Sequence, residues 1–449
     1  MTKNKEIRTK GHREGLLWRE LRRNKGALAS VYLLAFLAVI ALLAPMLANN
    51  MPLYMSYRGQ HLFPAFSFQN KYHFPADGTG PEENIQLDIA DWKHMNCDAV
   101  IWAPVTYDPQ NIDIYNARYV APGGEQVFKN PDGVSVSMPP RFRHWLGTGK
   151  KGEDVLSGLI HGTRVSLSIG FISMGIAAML GILLGAIAGY FGDHKLTTTR
   201  GQMLMSIPGL ILGWFYGFQC RTVALSEAMT GSGWHILGAS LVSVTIMGVV
   251  FFVFIRLGKL LSRIPYLGVT TRIPADSIIS RLIEIFISIP NLILIITISA
   301  IARPSMINLM VIIGLTTWTG IARLTRAELL KIRNLEYIQA GQALGLSEWR
   351  VILKHALPNG IAPALISVAF GIANAILVES ALSFLGIGVP PETVTWGSML
   401  FDGREHFEAW WLVIFPGLAI FFTVTAYNLL GEGIRDAIDP KARHRHVSK

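Results

Sequence analysis

Hydrophobic and polar positions along this chain fall into long blocks rather than short alternations. Uncharged runs long enough to cross about 30 Å of hydrocarbon extend over Ala27–Leu47, Val165–Phe191, Ile236–Ile255, Ile285–Ala302, Pro304–Ala322, Pro358–Val378 and Ala409–Gly431. Each predicts a spanning helix, because lipid offers backbone groups no partner and the blocks lack the alternation of a barrel strand. Gly201–Cys220 is an eighth run, interrupted by Pro208, Gly209 and Gly213 and bounded by Gln202 and Gln219. Residues 49–153 form a polar insert rich in Pro, Tyr, Trp, Asn and Asp, with short strands expected around Ala99–Val105 and Gln126–Met138.

Composition agrees with the blocks. The 449 residues are 51% hydrophobic and only 16% charged, which excludes a soluble multidomain protein and leaves an all-α polytopic membrane protein. The net charge of +10 then acts as a topological signal. With eight spans, the segments 1–26, 192–202, 256–281, 322–357 and 432–449 hold 27 of the 40 lysines and arginines, so they and both termini are expected in the cytoplasm. The insert, with twelve acidic against nine basic residues through Thr163, is expected outside. The basic excess therefore implies contact with membrane lipids and no nucleic-acid surface.

Ala27–Leu47 is longer than a cleaved signal core and is read as an uncleaved anchor. Before it, Leu16, Leu17, Trp18 and Leu21 alternate with Arg19, Arg22, Arg23 and Lys25, as in a short helix on the membrane surface; a disordered basic tail is the other reading. Cys97 and Cys220 fall on the same side in this topology, either as two thiols or as a disulfide, and no metal site is suggested. Ser206–Leu212 and Ser288–Leu294 differ at one position, each several residues after an arginine, Arg200 or Arg281, which reads as partial duplication of a helix start.

Between two spans, Glu336–Asn359 is polar and glycine-punctuated. A helix is expected to run to Ala343, Gly345 to stop it in a left-handed conformation, and Ser347 to cap a second helix over Glu348–His355, which Leu357-Pro358 ends as it starts the next membrane span. Such an elbow buries little within itself, so Ile338, Leu344, Leu346, Trp349 and Ile352 are expected to pack on a neighbour.

These residues carry a resemblance. Gln339-Ala340-Gly341, three residues, Gly345, nine residues, and then His355-Ala356-Leu357-Pro358 resemble the EAA loop of ATP-binding-cassette (ABC) importer permeases, with Gln339 for Glu, Gly341 for the second Ala and His355 for Ile. The Lys354–Asn359 ending resembles the dipeptide/oligopeptide/nickel branch, as do His144–Gly170, the "ESALSFLGIGVPPETVTWGSML" stretch and the C-terminal third; the insert resembles the microcin C and oligopeptide permease subunits. The resemblance implies a type I ABC importer transmembrane fold with a core of six helices, here expanded to eight spans. It implies a bacterial inner-membrane location, a homologous permease subunit completing a heterodimer, an extracytoplasmic solute-binding protein, and ABC ATPase subunits that bind ATP and Mg. It also implies that Gln339, Ala340, Gly341, Ala343, Leu344, Gly345, Leu346, Ser347, Leu357 and Pro358 couple to the ATPase. The expected organisation is a cytoplasmic N-terminus 1–26, a first helix 27–48, the insert 49–153, a second helix 164–192, an extra hairpin 201–258, a permease core 276–441 with its loop at 336–359, and a tail 442–449.

No P-loop is present, since Gly147–Gly152 lacks the Gly-x-x-x-x-Gly-Lys-Ser/Thr spacing, and no paired carboxylates or nucleophile constellation stands out, so neither cofactor nor catalysis is expected in this chain. Gly181, Gly185 and Gly189 share one helix face and read as close packing. Asn374 and Glu379 are candidates for a pathway or gate, Glu379 near enough to the outer end of its span to reach water. Arg281 and Glu284 read as a helical ion pair, and Trp396, Trp410 and Trp411 as interfacial anchors. An ion-coupled secondary transporter and a membrane-anchored interaction protein are the competing readings; the first needs intramembrane carboxylates or inverted repeats, the second no elbow.

Overall fold

A computed structural model describes residues 22 and 24–438, apart from 68–70, 75–82, 88–89, 96, 130–133 and 231–232. The surface helix expected before Lys25 and the tail 442–449 lie outside the described residues, as does the middle of the strand region at Gln126–Met138.

In chain order the helices are α1 (Lys25–Leu47), α2 (Val155–Phe191), α3 (Arg200–Gly217), α4 (Thr222–Thr230), α5 (Gly233–Leu261), α6 (Ala275–Ser288), α7 (Asn291–Ile301), α8 (Met306–Ile332), α9 (Glu336–Ala343), α10 (Glu348–Val351), α11 (Leu357–Gly360), α12 (Ala362–Phe384), α13 (Trp396–Glu405) and α14 (Trp411–Ile438). Among the described residues seven helices are long and apolar enough to cross a membrane: α1, α2, Arg200–Ala228, Gly238–Leu261, α8, α12 and α14. The weak run at Gly201–Cys220 is thus one of them. The run Ile285–Ala302 is not a single straight helix, because α6 and α7 meet at an 81° bend. Pro290 sits at that bend, where it cannot donate to the preceding turn, and the eleven residues of α7 are too short to span alone.

The chain divides into two compact units. One comprises residues 1–183, 285–325 and 358–449. In it α14 packs on α1, α12 and α13. Glycines let the helices of this unit approach closely: a Cβ on Gly181 would lie 2.7 Å from Ile321 Cβ, and one on Gly162 2.7 Å from the Trp396 ring. Trp396 is fully buried and donates from its indole to Leu159 O at 3.1 Å. Trp411 is buried and donates to Thr148 O at 3.1 Å. These two are therefore internal pegs rather than interfacial anchors; Trp410 alone of the three is exposed.

The insert also belongs to this unit. It holds a three-stranded antiparallel sheet in the order β2 (Gln60–Leu62), β1 (Tyr54–Tyr57), β5 (Ala99–Ile101), and two hairpins, β3 (Lys71–Phe74) with β4 (Glu83–Gln86) and β6 (Val127–Lys129) with β7 (Ser135–Ser137). Met55, Ile85, Leu87, Trp92 and Trp102 form its small apolar core.

The other unit comprises residues 184–284 and 326–357. Its hairpin of α3 and α5 is closed by a two-stranded ribbon in which β8 (Thr197–Thr199) pairs antiparallel with β9 (Thr270–Arg272). Just beyond the ribbon, Ile273 N donates to Leu196 O at 2.8 Å, so the hairpin leaves and rejoins the chain at one point. Cys97 and Cys220 are both free thiols. Arg281 and Glu284 pair at 2.7 Å, both exposed.

Candidate functional site

The elbow between α8 and α12 is built by its glycine. Gly345 has φ +75°, a conformation costly for residues with a Cβ. The amide of Gly345 donates to Gln342 O and that of Leu346 to Gly341 O, the paired bonds that satisfy the last carbonyls of α9. Ser347 occupies the position before α10 but makes no side-chain cap. The helix expected over Glu348–His355 is α10 followed by a widened turn over Ile352–Ala356, and α11 carries it on through Pro358 to Gly360. The helix therefore does not end at Leu357-Pro358 but runs on through it, the widened turn just before it taking up the proline that a regular helix interior would not.

The elbow has two apolar faces. Ile338, Val351, Ile352 and Ala356 pack against Tyr190, Phe191, Leu329 and Ile332, with Leu346 and Leu357 partly buried beside them. Burial of this kind stabilises by roughly 2 kcal/mol per large side chain. Ile338 and Ile352 thus pack on the chain's own helices α2 and α8, not on a foreign neighbour. Leu344, by contrast, is 82% exposed, and Trp349 and Leu353 are exposed with it. Gln339, Ala340, Ala343, Gly345, Ser347 and Pro358 are exposed as well, while Gly341 is half-buried.

Polar bonds fix the elbow to the end of α2. The buried Tyr190 donates its hydroxyl to the Glu348 carboxylate, and Gln342 Nε2 donates to Tyr190 Oη at 2.8 Å and lies 3.4 Å from Glu348 Oε2. Lys195 adds its charge 3.9 Å from the same carboxylate. One tyrosine therefore joins both short helices. Nearby, Arg326 pairs with Asp276 through two bonds, one of them 2.9 Å, and Arg333 donates to Gly189 O. A Cβ on Gly189 would lie 2.5 Å from Arg326 O, so glycine is needed where α2 meets α8. Asp193 accepts from Ser277 N at 2.9 Å and its hydroxyl at 2.7 Å, which holds its carboxyl below the ordinary range.

Glu379 belongs to the first unit and is fully buried. Ser383 donates to its carboxylate at 2.8 Å, and Ser380 and Ser166 approach at 3.4 and 3.5 Å, so hydroxyls replace the outer-surface water expected for it. Asn374 is exposed on the same helix; the two candidates have different surroundings. The sequence pattern missed Tyr190, Gln342, Glu348 and Ser166. Ser380 and Ser383, within one turn of Glu379 in an otherwise apolar run, were a readable signal for its cage. Among the described residues no group of His, Cys, Asp or Glu could hold a metal ion.

Residues 266–444, from just before β9 to just past α14 and including the elbow and Glu379, match the family described as binding-protein-dependent transport system inner membrane component. Residues 15–64 match the N-terminal transmembrane domain of oligopeptide transport permease C. The chain belongs to this family of inner-membrane ABC importer permeases and has its type I transmembrane fold. It is 31% identical over 303 residues to the di/tripeptide transport system permease protein DppC of Pseudomonas aeruginosa, covering 67% of this chain and 74% of that one. The inner membrane ABC transporter permease protein YejE of Escherichia coli is 26% identical over 427 residues, 94% of this chain and 96% of its own. The peptidoglycan transport system permease protein YejE of Agrobacterium fabrum is 26% identical over 445 residues, 95% and 93% of the two chains.

Proposed function

We propose that this permease conducts peptides or peptide-like solutes, paired with a homologous permease subunit, and that the exposed face of the elbow receives a separate ATPase. Both termini and the elbow are then cytoplasmic, and the insert faces the solute-binding protein. ATP and Mg2+ belong to the ATPase, and this chain carries no catalysis of its own. The substrate class is supported by the relatives, whose names specify dipeptides, tripeptides and peptidoglycan.

One observation supports the coupling most: in a loop of two short helices, Ile338 is fully buried while Leu344 is 82% exposed. Ridges seated on the chain's own helices make the elbow stiff, and the outward leucine, tryptophan and leucine offer a groove-filling surface of the kind helices use to dock. An ATPase that changes its own shape can move the permease only through such differential contacts. With Leu344→Cys in the assembled transporter, a short thiol crosslinker is expected to join this chain to the ATPase, with the yield changing between nucleotide-free and ATP-bound states. Leu344→Glu is expected to reduce dipeptide uptake in vesicles by more than tenfold while leaving the chain in the membrane. Absence of any crosslink from Leu344, Trp349 and Leu353, or uptake by this chain without an ATPase, overturns the reading.

A further inference from the structure

A cavity of about 250 Å³ opens in the insert, lined among others by Trp92, Lys93, His94, Tyr115, Phe128 and Lys129. Its charged groups are unusually arranged. The Lys93 ammonium lies 3.4 Å from the centre of the Tyr107 ring and 5.4 Å from that of Phe142, and the Lys129 ammonium 4.7 Å from that of Tyr115. Among the described residues neither lysine forms an ion pair with a carboxylate. The two acidic residues on the cavity wall are already committed. Asp113 accepts from His144, from the Asn116 side chain and from the backbone amides of Tyr115 and Asn116, and Asp91 bonds to His94 Nδ1 at 2.7 Å. Ring faces stabilise a cation far less than a carboxylate does, and burial draws the Lys93 pKa down to about 8. Asp113, Asp154 and Asp91 lie close enough for their charges to act on Lys93 without pairing with it, so the cavity presents two ammonium groups against aromatic walls with no carboxylate bonded to either.

We propose that this cavity binds a small carboxylate carrying an apolar body, an anion of amino-acid size such as the C-terminal residue of a peptide, with Lys93 and Lys129 taking the carboxylate and Tyr115 and Phe128 flanking the apolar part. Such a ligand supplies the direct carboxylate contact that neither lysine has, and a charge-assisted bond in a half-buried site is the strong kind. The site stands on the insert alone and does not depend on coupling to an ATPase.

The test uses the purified full-length chain in nanodiscs and two pairs of probes, N-acetyl-leucine with its amide and Leu-Leu with its C-terminal amide, followed by calorimetry. Binding of the acids with the amides at least about tenfold weaker supports the proposal. Lys93→Met and Lys129→Met should each weaken the acids by about tenfold or more, with Lys93→Arg retaining most of the affinity. Equal binding of acids and amides, or no binding of any probe to the wild-type chain, overturns it, as does full affinity in the folded Lys93→Met, Lys129→Met double variant. Binding of N-acetyl-leucine but not Leu-Leu identifies free amino-acid-like anions as the source; binding of both points to peptide C-termini.

Discussion

His144 has no exposure to solvent, yet its imidazole is flanked by two carboxylates, Asp154 at 2.8 Å from Nδ1 and Asp113 at 3.2 Å from Nε2, and is stacked on Tyr107. Burial pushes the imidazole pKa down, but the hydrogen bonds to Asp113 and Asp154 outweigh it and lift the pKa above the ordinary 6.5. A raised histidine pKa contributes stability that is fully present below the unfolded value and is lost as pH rises through the folded one. Asp113 has the opposite sign: burial raises its pKa, but bonds from His144 and Asn116 hold it below 3.8, so its share is lost only as pH falls through that lower value. His144→Asn should therefore lower the thermal midpoint of the chain most at about pH 5 and progressively less above pH 6.5. A destabilisation that grows on going from pH 5 to pH 8 refutes the charged pairing. None of this was readable beforehand, because the three groups are spread from Asp113 to Asp154 through a segment without periodicity. At the elbow, by contrast, Gly345 was legible from spacing alone, since a backbone turn has a residue-type signature. Tyr190 was not, because its partner Glu348 lies 158 positions away.

The spans were legible as elements because lipid imposes a length and an apolar composition on every one of them. What composition could not settle is how proline acts in context. The same Ser-Ile-Pro string is interior to the helix α3, where Pro208 is accommodated, but ends α6 at Pro290. The one differing position is informative: Gly209 lies so close to α5 that a Cβ would sit 2.6 Å from Phe254 Cβ, whereas the later copy has Asn291. Gly201, Gly213 and Gly217 make similar approaches, so α3 is pressed along α5 over its whole length. The hairpin is also self-contained in its connections, leaving and returning between Leu196 and Ile273. Excising residues 197–272 and joining Leu196 to Ile273 through a short glycine link is expected to leave the elbow packing and ATPase binding intact, with the thermal midpoint in detergent within a few degrees of the full chain. Failure of the shortened chain to enter the membrane, or loss of ATPase binding, shows the hairpin to be structural for the rest.

At the scale of the whole molecule, if the elbow receives the ATPase as proposed, a movement there has to reach a membrane helix for solute to move. The expected route through the apolar residues of the elbow was half legible: the pattern named Ile338, Ile352, Leu344 and Trp349, but only the structure separates the first two, which face inward, from the last two, which face outward. Helix α2 is unbroken over 37 residues and ends one residue after Tyr190. Tyr190 in turn bonds to Glu348 in α10 and receives Gln342 from α9. Beside the apolar packing of Tyr190 and Phe191 on the elbow, that hydroxyl is the polar tie that holds both short helices to the end of α2. Tyr190→Phe removes it with little change in volume, and should cost only about 1 kcal/mol of stability because Glu348 can turn to water. In proteoliposomes containing the assembled transporter, this variant is expected to keep the Leu344→Cys crosslink to the ATPase and to keep hydrolysing ATP, while solute moved per ATP falls severalfold. Glu348→Gln with Tyr190 unaltered, which keeps both the hydroxyl and an acceptor for it, should retain most of the unaltered ratio. If Tyr190→Phe transports as much solute per ATP as the unaltered chain, force passes through the apolar face of the elbow alone, and the tyrosine is only a packing residue.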